Sequence, residues 1–236
     1  MSLFWQEERA EHEAPPRSDW VDLAFAVRCR ALPVDHALAL SEAVRAVLPW
    51  LGEEPGEGVH TIHGAESGNG WQRPEDPDTG LIYLSRRARL TLRLPRARVE
   101  AARALSGRRL EVLGEVVEVG EPRERELSPL GTIFSRYVLC EPGEEEDEPR
   151  FLARVAGELT AMGVGVRKAL CGRAHPIRTP EGRRLARSLM LADLEPEESL
   201  RVQERGVGAG RVMGCGLFLP HKGIRPVRQA GGRGAP

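Results

Sequence analysis

Apolar and polar residues alternate from Trp20 to Cys29, with Val21, Leu23, Phe25 and Val27 on one face. A period of two predicts a strand. Pro33 closes it, and Asp35 then offers an N-cap for a helix whose apolar stripe is Leu38, Leu40, Val44, Val47 and Leu48. Pro49 and Gly52 stop that helix. Val59 to His63 predicts a short strand. Gly64 to Gly80 carries Gly, Asn, Asp and Pro and reads as a long loop, of the length that is usually functional or disordered. Leu81 to Leu94 alternates and predicts a long strand or hairpin. Arg96 to Leu105 predicts a second helix and Leu110 to Val119 a further strand. The order β-α-β-β-α-β is that of a ferredoxin-like plait.

The pattern repeats with other residues. Thr132 to Cys140 predicts a strand, Glu141 to Glu148 an acidic Pro/Gly linker, and Arg150 to Met162 a helix. Val164 to Leu170 predicts a strand, Cys171 to Arg183 a basic loop, and Leu185 to Ala192 a strand. Glu195 to Arg205 predicts a helix whose acidic first turn suits its dipole. A glycine-rich loop and a short strand, Leu217 to Leu219, complete a second plait. The expected fold is α+β: two tandem ferredoxin-like (RRM-like) domains with a C-terminal glycine-rich loop. The boundaries follow. Residues 1–18 form a disordered acidic arm, 19–128 the N-terminal domain, 129–222 the C-terminal domain and 223–236 a basic tail.

Composition sharpens this picture in one respect. The net charge of −1 over 236 residues hides an asymmetry. Residues 151–236 hold 15 Lys/Arg against 7 Asp/Glu, which is +8; the remainder holds 19 against 28, which is −9. A basic half joined to an acidic half suggests a polyanionic partner for the former. Arginine bias and acidic tails give the same asymmetry without a partner. No apolar run approaches the roughly 18 residues a spanning helix needs, so no membrane partner is expected. The first residues are polar and acidic, unlike a secretory signal. Cys29, Cys140, Cys171 and Cys215 lack paired spacing and read as reduced thiols in a cytoplasmic protein.

The stretch Gly206 to Lys222 places Gly206, Gly208, Gly210, Gly214 and Gly216 within eleven positions. Glycine-rich backbone can present N–H groups as a concave anion site, and Arg211 and Lys222 flank it with positive charge. Arg173, Arg205, Gly208, Gly210, Arg211, Gly214, Gly216 and Lys222 are therefore the candidate contacts to an extended polyanion. The plainer reading is a flexible loop ending in an edge strand. No Gly-Lys-Ser/Thr closes the loop, and it opens a strand rather than a helix, so neither common nucleotide-binding fingerprint is met.

Histidine is the natural acid or base near neutral pH. His36 stands at the start of the first helix beside Asp35. His60 and His63, spaced by three, point to opposite faces of a strand and are poor joint metal ligands, though one could enter a site at the mouth of the long loop. His175 and His221 sit in basic or glycine-rich surroundings suited to RNA or solvent. No His-Glu-x-x-His, cysteine pair or carboxylate cluster suggests a metal site, and no cofactor is expected.

Gly216-x-Phe218-x-Pro220, Ser199 to Gly206 before it, the Leu32-Pro-Val-Asp-His36-Ala-Leu-Ala-Leu40 segment, Arg89 to Pro95 and Gly107 to Leu110 together resemble the CRISPR-associated repeat-processing endoribonucleases (Cas family six of the RAMP superfamily, glycine-rich-loop type). The likeness spans roughly residues 20 to 222. It implies a metal-independent endoribonuclease that cuts CRISPR precursor RNA within the repeat, with His36 as the catalytic histidine. Its partners would be the repeat stem-loop, the mature guide RNA and the other subunits of an interference complex. The family segment carries tyrosines where this chain has Leu38 and Ser41. Ser41 is thus the remaining hydroxyl candidate, and the second acid or base is left open. A non-catalytic RNA-binding subunit and a nucleotide-using enzyme are the competing classes.

Overall fold

The computed structural model describes residues 16–63 and 80–221. Its elements are β1 (Trp20–Arg28), β2 (Ala31–Pro33), α1 (Ala37–Val47), β3 (Gly58–Val59), β4 (Leu81–Tyr83), β5 (Arg89–Pro95), α2 (Val99–Ala102), β6 (Arg109–Val112), β7 (Glu115–Glu126), β8 (Ile133–Leu139), α3 (Glu148–Ala161), β9 (Lys168–Thr179), β10 (Gly182–Ala192), α4 (Pro196–Arg205) and β11 (Leu219–Pro220). They build two antiparallel sheets, β3-β5-β1-β7-β6 and β11-β8-β10-β9, with a two-stranded β2-β4 ribbon beside the first. The protein is α+β. Residues 1–15 of the acidic arm expected over 1–18, the 64–79 part of the long loop, Lys222 and the basic tail lie outside the described residues.

Alternation in β1 and β5 sets the first core. Val21, Leu23 and Phe25 on β1 face inward with Leu90, Leu92 and Leu94 on β5, and Leu40, Val44 and Leu48 of α1 cover them. The opposite face of the same strands carries Asp22, Arg89, Thr91 and Arg93. The second core takes Ile133 and Val138 from β8, Leu189 and Leu191 from β10, and Phe151, Val155 and Leu159 from α3. Helix α3 begins where Asp147 accepts the Arg150 N–H at 2.9 Å, an N-cap the acidic linker supplies.

Four expectations change. The stretch from Leu81 to Leu94 splits, because β4 pairs with β2 while β5 joins the main sheet. Leu110 to Val119 is a hairpin: Leu113 (φ 51) and Gly114 (φ 83) both take the left-handed conformation of a two-residue turn. The basic segment from Cys171 to Arg183 belongs mostly to strand β9, paired along β10 and turning at Pro180 and Glu181. The second helix is one α turn between two 3-10 turns.

Strand β10 explains a further irregularity. Arg187 pairs with Val138 and Leu189 with Ser135, so β8 uses three residues where β10 uses two. Arg187 also pairs with Ala174 and Leu189 with Cys171, so β9 carries an extra residue at the same level. Such bulges re-aim side chains. Beyond them, Tyr137, Leu139, Ala186 and Ile177 pack with Ala37, Leu38, Met213 and Cys215, joining the second sheet to the start of α1.

Candidate active site at the seam between the sheets

The first sheet's outer face meets the second half of the chain through one buried arginine. Arg93 is 0% exposed. Its Nε and Nη2 donate to the two oxygens of Asp22 at 2.9 Å each, and Nη1 donates to the Gln203 and Phe218 carbonyls at 3.0 and 2.7 Å. His60 lies 3.5 Å from the same aspartate, too long for a good hydrogen bond. The arginine beside Asp22 holds that carboxyl well below the usual range despite its burial. Arg93 is thus a structural cation that no substrate reaches.

Beside this pair opens a cavity of about 460 Å³, lined on its polar side by His60, His63, Ser85, Arg87, Arg89 and Arg125, and at its edge by Leu219 of β11. The three arginines belong to the half of the chain whose net charge is negative. Sequence charge by halves therefore missed them. The usable signal was the alternation Arg89-Leu-Thr-Leu-Arg93, which puts Arg89, Thr91 and Arg93 on the face opposite the core.

His36 stands behind the cavity. It occupies the N-cap position of α1, while Asp35 instead accepts the main-chain N–H of Arg178, at 3.1 Å to the nearer oxygen. The ring is 1% exposed. Its Nδ1 lies 2.7 Å from the Pro33 carbonyl, and Nε2 accepts the Ile62 N–H at 3.1 Å. Both nitrogens are therefore engaged within the protein, with Nδ1 carrying the proton. The Ile62 contact fixes the segment that presents His63 to the cavity. Burial pushes the His36 imidazole below its ordinary value, and the Asp35 carboxylate opposes this more weakly. Burial lowers His60 in the same way. His63 falls to about 3, through burial first and then the Arg136 guanidinium and the two neighbouring imidazoles. All three rings are neutral at pH 7.

Ser41 does not join this group. It is 3% exposed on the inner side of α1, and five residues along a helix is a rotation of about 140° from His36. Helical geometry turns it into the core.

The glycine loop also departs from expectation. Several of its amides are taken by the fold: Gly208 N donates to Glu158 Oε2 at 2.7 Å, Gly214 N to the Arg211 carbonyl, Cys215 N to Gly210 and Gly216 N to Tyr137. A Cβ on Gly216, whose φ is +67, would stand 2.0 Å from the Val207 carbonyl, so glycine is required there for chain packing. A Cβ on Gly214 would stand 3.0 Å from the Val59 carbonyl across the seam, a looser approach. Gly210 takes a left-handed turn against Met213 and Cys215. Arg211 donates to the Pro55 and Gly208 carbonyls and is half-buried. The loop is a latch between the two halves, which corrects the expectation of an anion cradle. Arg173 on β9 and Arg205 at the end of α4 remain exposed.

Among the described residues no group of three or more His, Cys, Asp or Glu is placed to hold a metal ion. No helix among them is long and apolar enough to cross a membrane.

Comparison with known proteins adds the following. The family model described as Cas6 Crispr matches residues 21–223. A CRISPR-associated endonuclease Cas6 of Myxococcus xanthus (strain DK1622) is 34% identical over 201 residues, which cover 85% of this chain and 81% of that protein. A solved structure of a CRISPR-associated protein Cas6 superposes with a TM-score of 0.57 at 10% identity, covering 86% of this chain and 100% of its own. A Cas6-related protein from Pyrococcus furiosus superposes with a TM-score of 0.53 at 13% identity, covering 84% and 97%. At these identities the two structures speak to the fold.

Proposed function

The chain belongs to the Cas6 family, and we propose that it is a metal-independent endoribonuclease that cleaves CRISPR precursor RNA within the repeat to give mature guide RNA. Its 34% identical relative is named as an endonuclease, which supports a nuclease reading. The observation that carries the mechanism is the cavity at the seam, where His63 stands among Arg87, Arg89 and Arg125 with His36 holding its segment from behind.

In this mechanism a neutral imidazole takes the proton of the ribose 2′-hydroxyl. The 2′-oxygen attacks the adjacent phosphorus, the bond from phosphorus to the 5′-oxygen breaks, and that oxygen takes a proton from solvent as it leaves, while the imidazolium returns its proton to solvent. The products are a 2′,3′-cyclic phosphate and a free 5′-hydroxyl. His63 is the proposed base, because its ring lines the cavity. His36 is the proposed positioning residue, because both of its nitrogens are engaged. The arginines stabilise the charge that develops on the phosphorane. The lowered values leave the rings unprotonated at pH 7 and so able to accept a proton, although a value far below the working pH also weakens the base, and a phosphate beside the ring raises it.

The second half runs β-α-β-β-α-β with the edge-to-edge order of a plait, and the first does so with β2, β4 and β6 added, so the two are read as tandem ferredoxin-like domains. The second half holds the repeat stem, with Arg173 and Arg205 among its contacts. The protein keeps its product as a subunit of a cytoplasmic interference complex. One observation favours the alternative of a binding subunit that does not cut: the engaged nitrogens of His36. A single 2′-deoxy substitution just upstream of the cut decides between them. It should abolish cleavage of a labelled repeat and leave binding intact, because phosphate contacts hold the strand. Absence of cleavage of the all-ribose repeat would favour the binding subunit, and efficient cutting of the deoxy substrate would overturn the 2′-hydroxyl mechanism.

A further inference from the structure

The outer face of the second sheet is divided by the bulges opposite Ser188. On one side it is buried against α1 and the glycine loop, as described above. On the other, the register places one apolar side chain from each strand in a row: Leu219 pairs with Phe134, Phe134 with Met190, and Met190 with Leu170. Directly paired residues share a face of an antiparallel sheet. Their neighbours Ile133, Leu189 and Leu191 are fully buried in the core on the other face. The row is therefore on the outside. Leu170 is 70% exposed, and Leu219, Phe134 and Met190 are only partly covered. An apolar ribbon crossing a whole sheet is not a consequence of the core, which is complete without it.

The ribbon is continuous with the proposed cleavage site. Leu219 lines both the ribbon and the histidine cavity. Arg136, in the β8 bulge beside Phe134, is close enough to His36 and His63 to lower both imidazoles. The His221 ring lies 6.2 Å from that of Phe134, inclined by 55°, at the cavity end of the row. An aromatic and three flexible apolar side chains, entered past a guanidinium, form a surface for π-faces attached to a phosphate backbone. A protein partner's apolar helix would need a groove, whereas this is a flat strip one residue wide.

We propose that the row Leu219, Phe134, Met190 and Leu170 is a stacking track for unpaired RNA nucleotides that adjoin the cleaved phosphate. This rests on the reading of the cavity as the cleavage site. The track sets which single-stranded flank the protein prefers and holds it after the cut, independently of any contact to the stem.

The test uses the full chain and two labelled RNAs: the hairpin of its own repeat alone, and the same hairpin with its unpaired flanks. Base stacking on an aromatic contributes about 1–3 kcal/mol per base, or roughly 5- to 150-fold in affinity. The flanked RNA should therefore bind at least about 5-fold tighter than the bare hairpin. Phe134→Leu, which keeps the apolar volume but removes the π-face, and Leu170→Ser, at an exposed position outside the core, should each erase most of that difference. Neither should change bare-hairpin binding. Equal flank preference in wild type and both variants would overturn the track. So would a wild-type self-association, seen by sedimentation, that Leu170→Ser abolishes while flank preference stays. Failure of the wild type to bind any repeat RNA would instead sink the functional reading itself.

Discussion

Arg93 and Asp22 form a two-pronged ion pair, both contacts 2.9 Å, on the outer face of the first sheet and beneath the second half of the chain. The pair is directly opposed in the sheet, since Asp22 and Arg93 are register partners. The remaining guanidinium nitrogen bonds main-chain carbonyls at residues 203 and 218. The same arginine thus ties β1 to β5 and the first half of the chain to the second. Removing one member of a buried pair leaves the other charge unpaired, at a cost of about 3–5 kcal/mol. Asp22→Ala and Arg93→Ala should each lose stability on this scale in urea unfolding. The double variant should lose less than the sum of the two. Additive losses would mean that the pair contributes nothing as a unit.

The histidines make stability depend on pH in a defined direction. His36, His60 and His63 all have folded values below their unfolded value of 6.5. Below pH 6.5 the unfolded chain binds protons that the folded chain refuses, so their contribution is full above that pH and declines as it falls. Asp22 has a depressed carboxyl value, so its own contribution is full above its unfolded value of 3.8 and is lost only as pH falls below that towards the folded value. Unfolding free energy should therefore drop by on the order of 2 kcal/mol or more between pH 7 and pH 5, before any carboxylate titrates. A flat profile over that interval would show that the three imidazoles are accessible in the folded state.

Salt dependence separates the cavity arginines from the glycine loop. Each phosphate contact to single-stranded RNA contributes a slope of about −0.7 in log affinity against log salt. Arg87→Ala should flatten the slope by about one contact. Arg211→Ala should leave the slope unchanged and lower thermal stability, because its guanidinium bonds the Pro55 and Gly208 carbonyls. A flattened slope for Arg211→Ala with unchanged stability would restore the loop as an RNA contact.

Periodicity carried most of the architecture. The alternation of Val21, Leu23 and Phe25 and the stripe of Leu40, Val44 and Leu48 place β1 and α1 correctly, because one-sided burial fixes both patterns. The hairpin at Leu113 was not legible, since leucine rarely takes a positive φ and gives no turn signal. Strand β9 was hidden because an edge strand with one solvated face tolerates Arg173 and His175. The glycine loop was legible as important but not as a latch. Close approach of two backbones and exposure to a ligand both call for glycine, and only the Val207, Tyr137 and Glu158 partners distinguish them. His36 was marked by its family segment, whereas its hydrogen bond to Ile62 joins residues 26 apart and has no local trace. His63 was legible only in part: the spacing to His60 disfavours joint ligation and leaves one ring for a site by the long loop, but says nothing about a cavity formed with β5 and β7.

The division of labour between His63 and His36 gives the most demanding test of the site. A base that lines the cavity should be needed for chemistry, so His63→Ala should slow cleavage at least about 100-fold at saturating RNA with little change in affinity. His36→Ala should also slow cleavage, but through the 60–63 segment. Its effect should be partly rescued by His36→Asn, which can accept the Ile62 N–H without being a base, while His63→Asn should rescue nothing. Ser41→Ala, turned into the core, should cleave within about two-fold of wild type. Phosphate beside an imidazole favours its protonated form. The acid limb should therefore lie at higher pH for kcat, which reports the RNA complex, than for kcat/KM, which reports the free protein. The single-turnover pH profiles of the four histidine variants settle the roles. If His36→Asn is as dead as His36→Ala while His63→Ala cuts at the wild-type rate, then His36 itself moves the proton, and the Ile62 hydrogen bond must open when RNA binds.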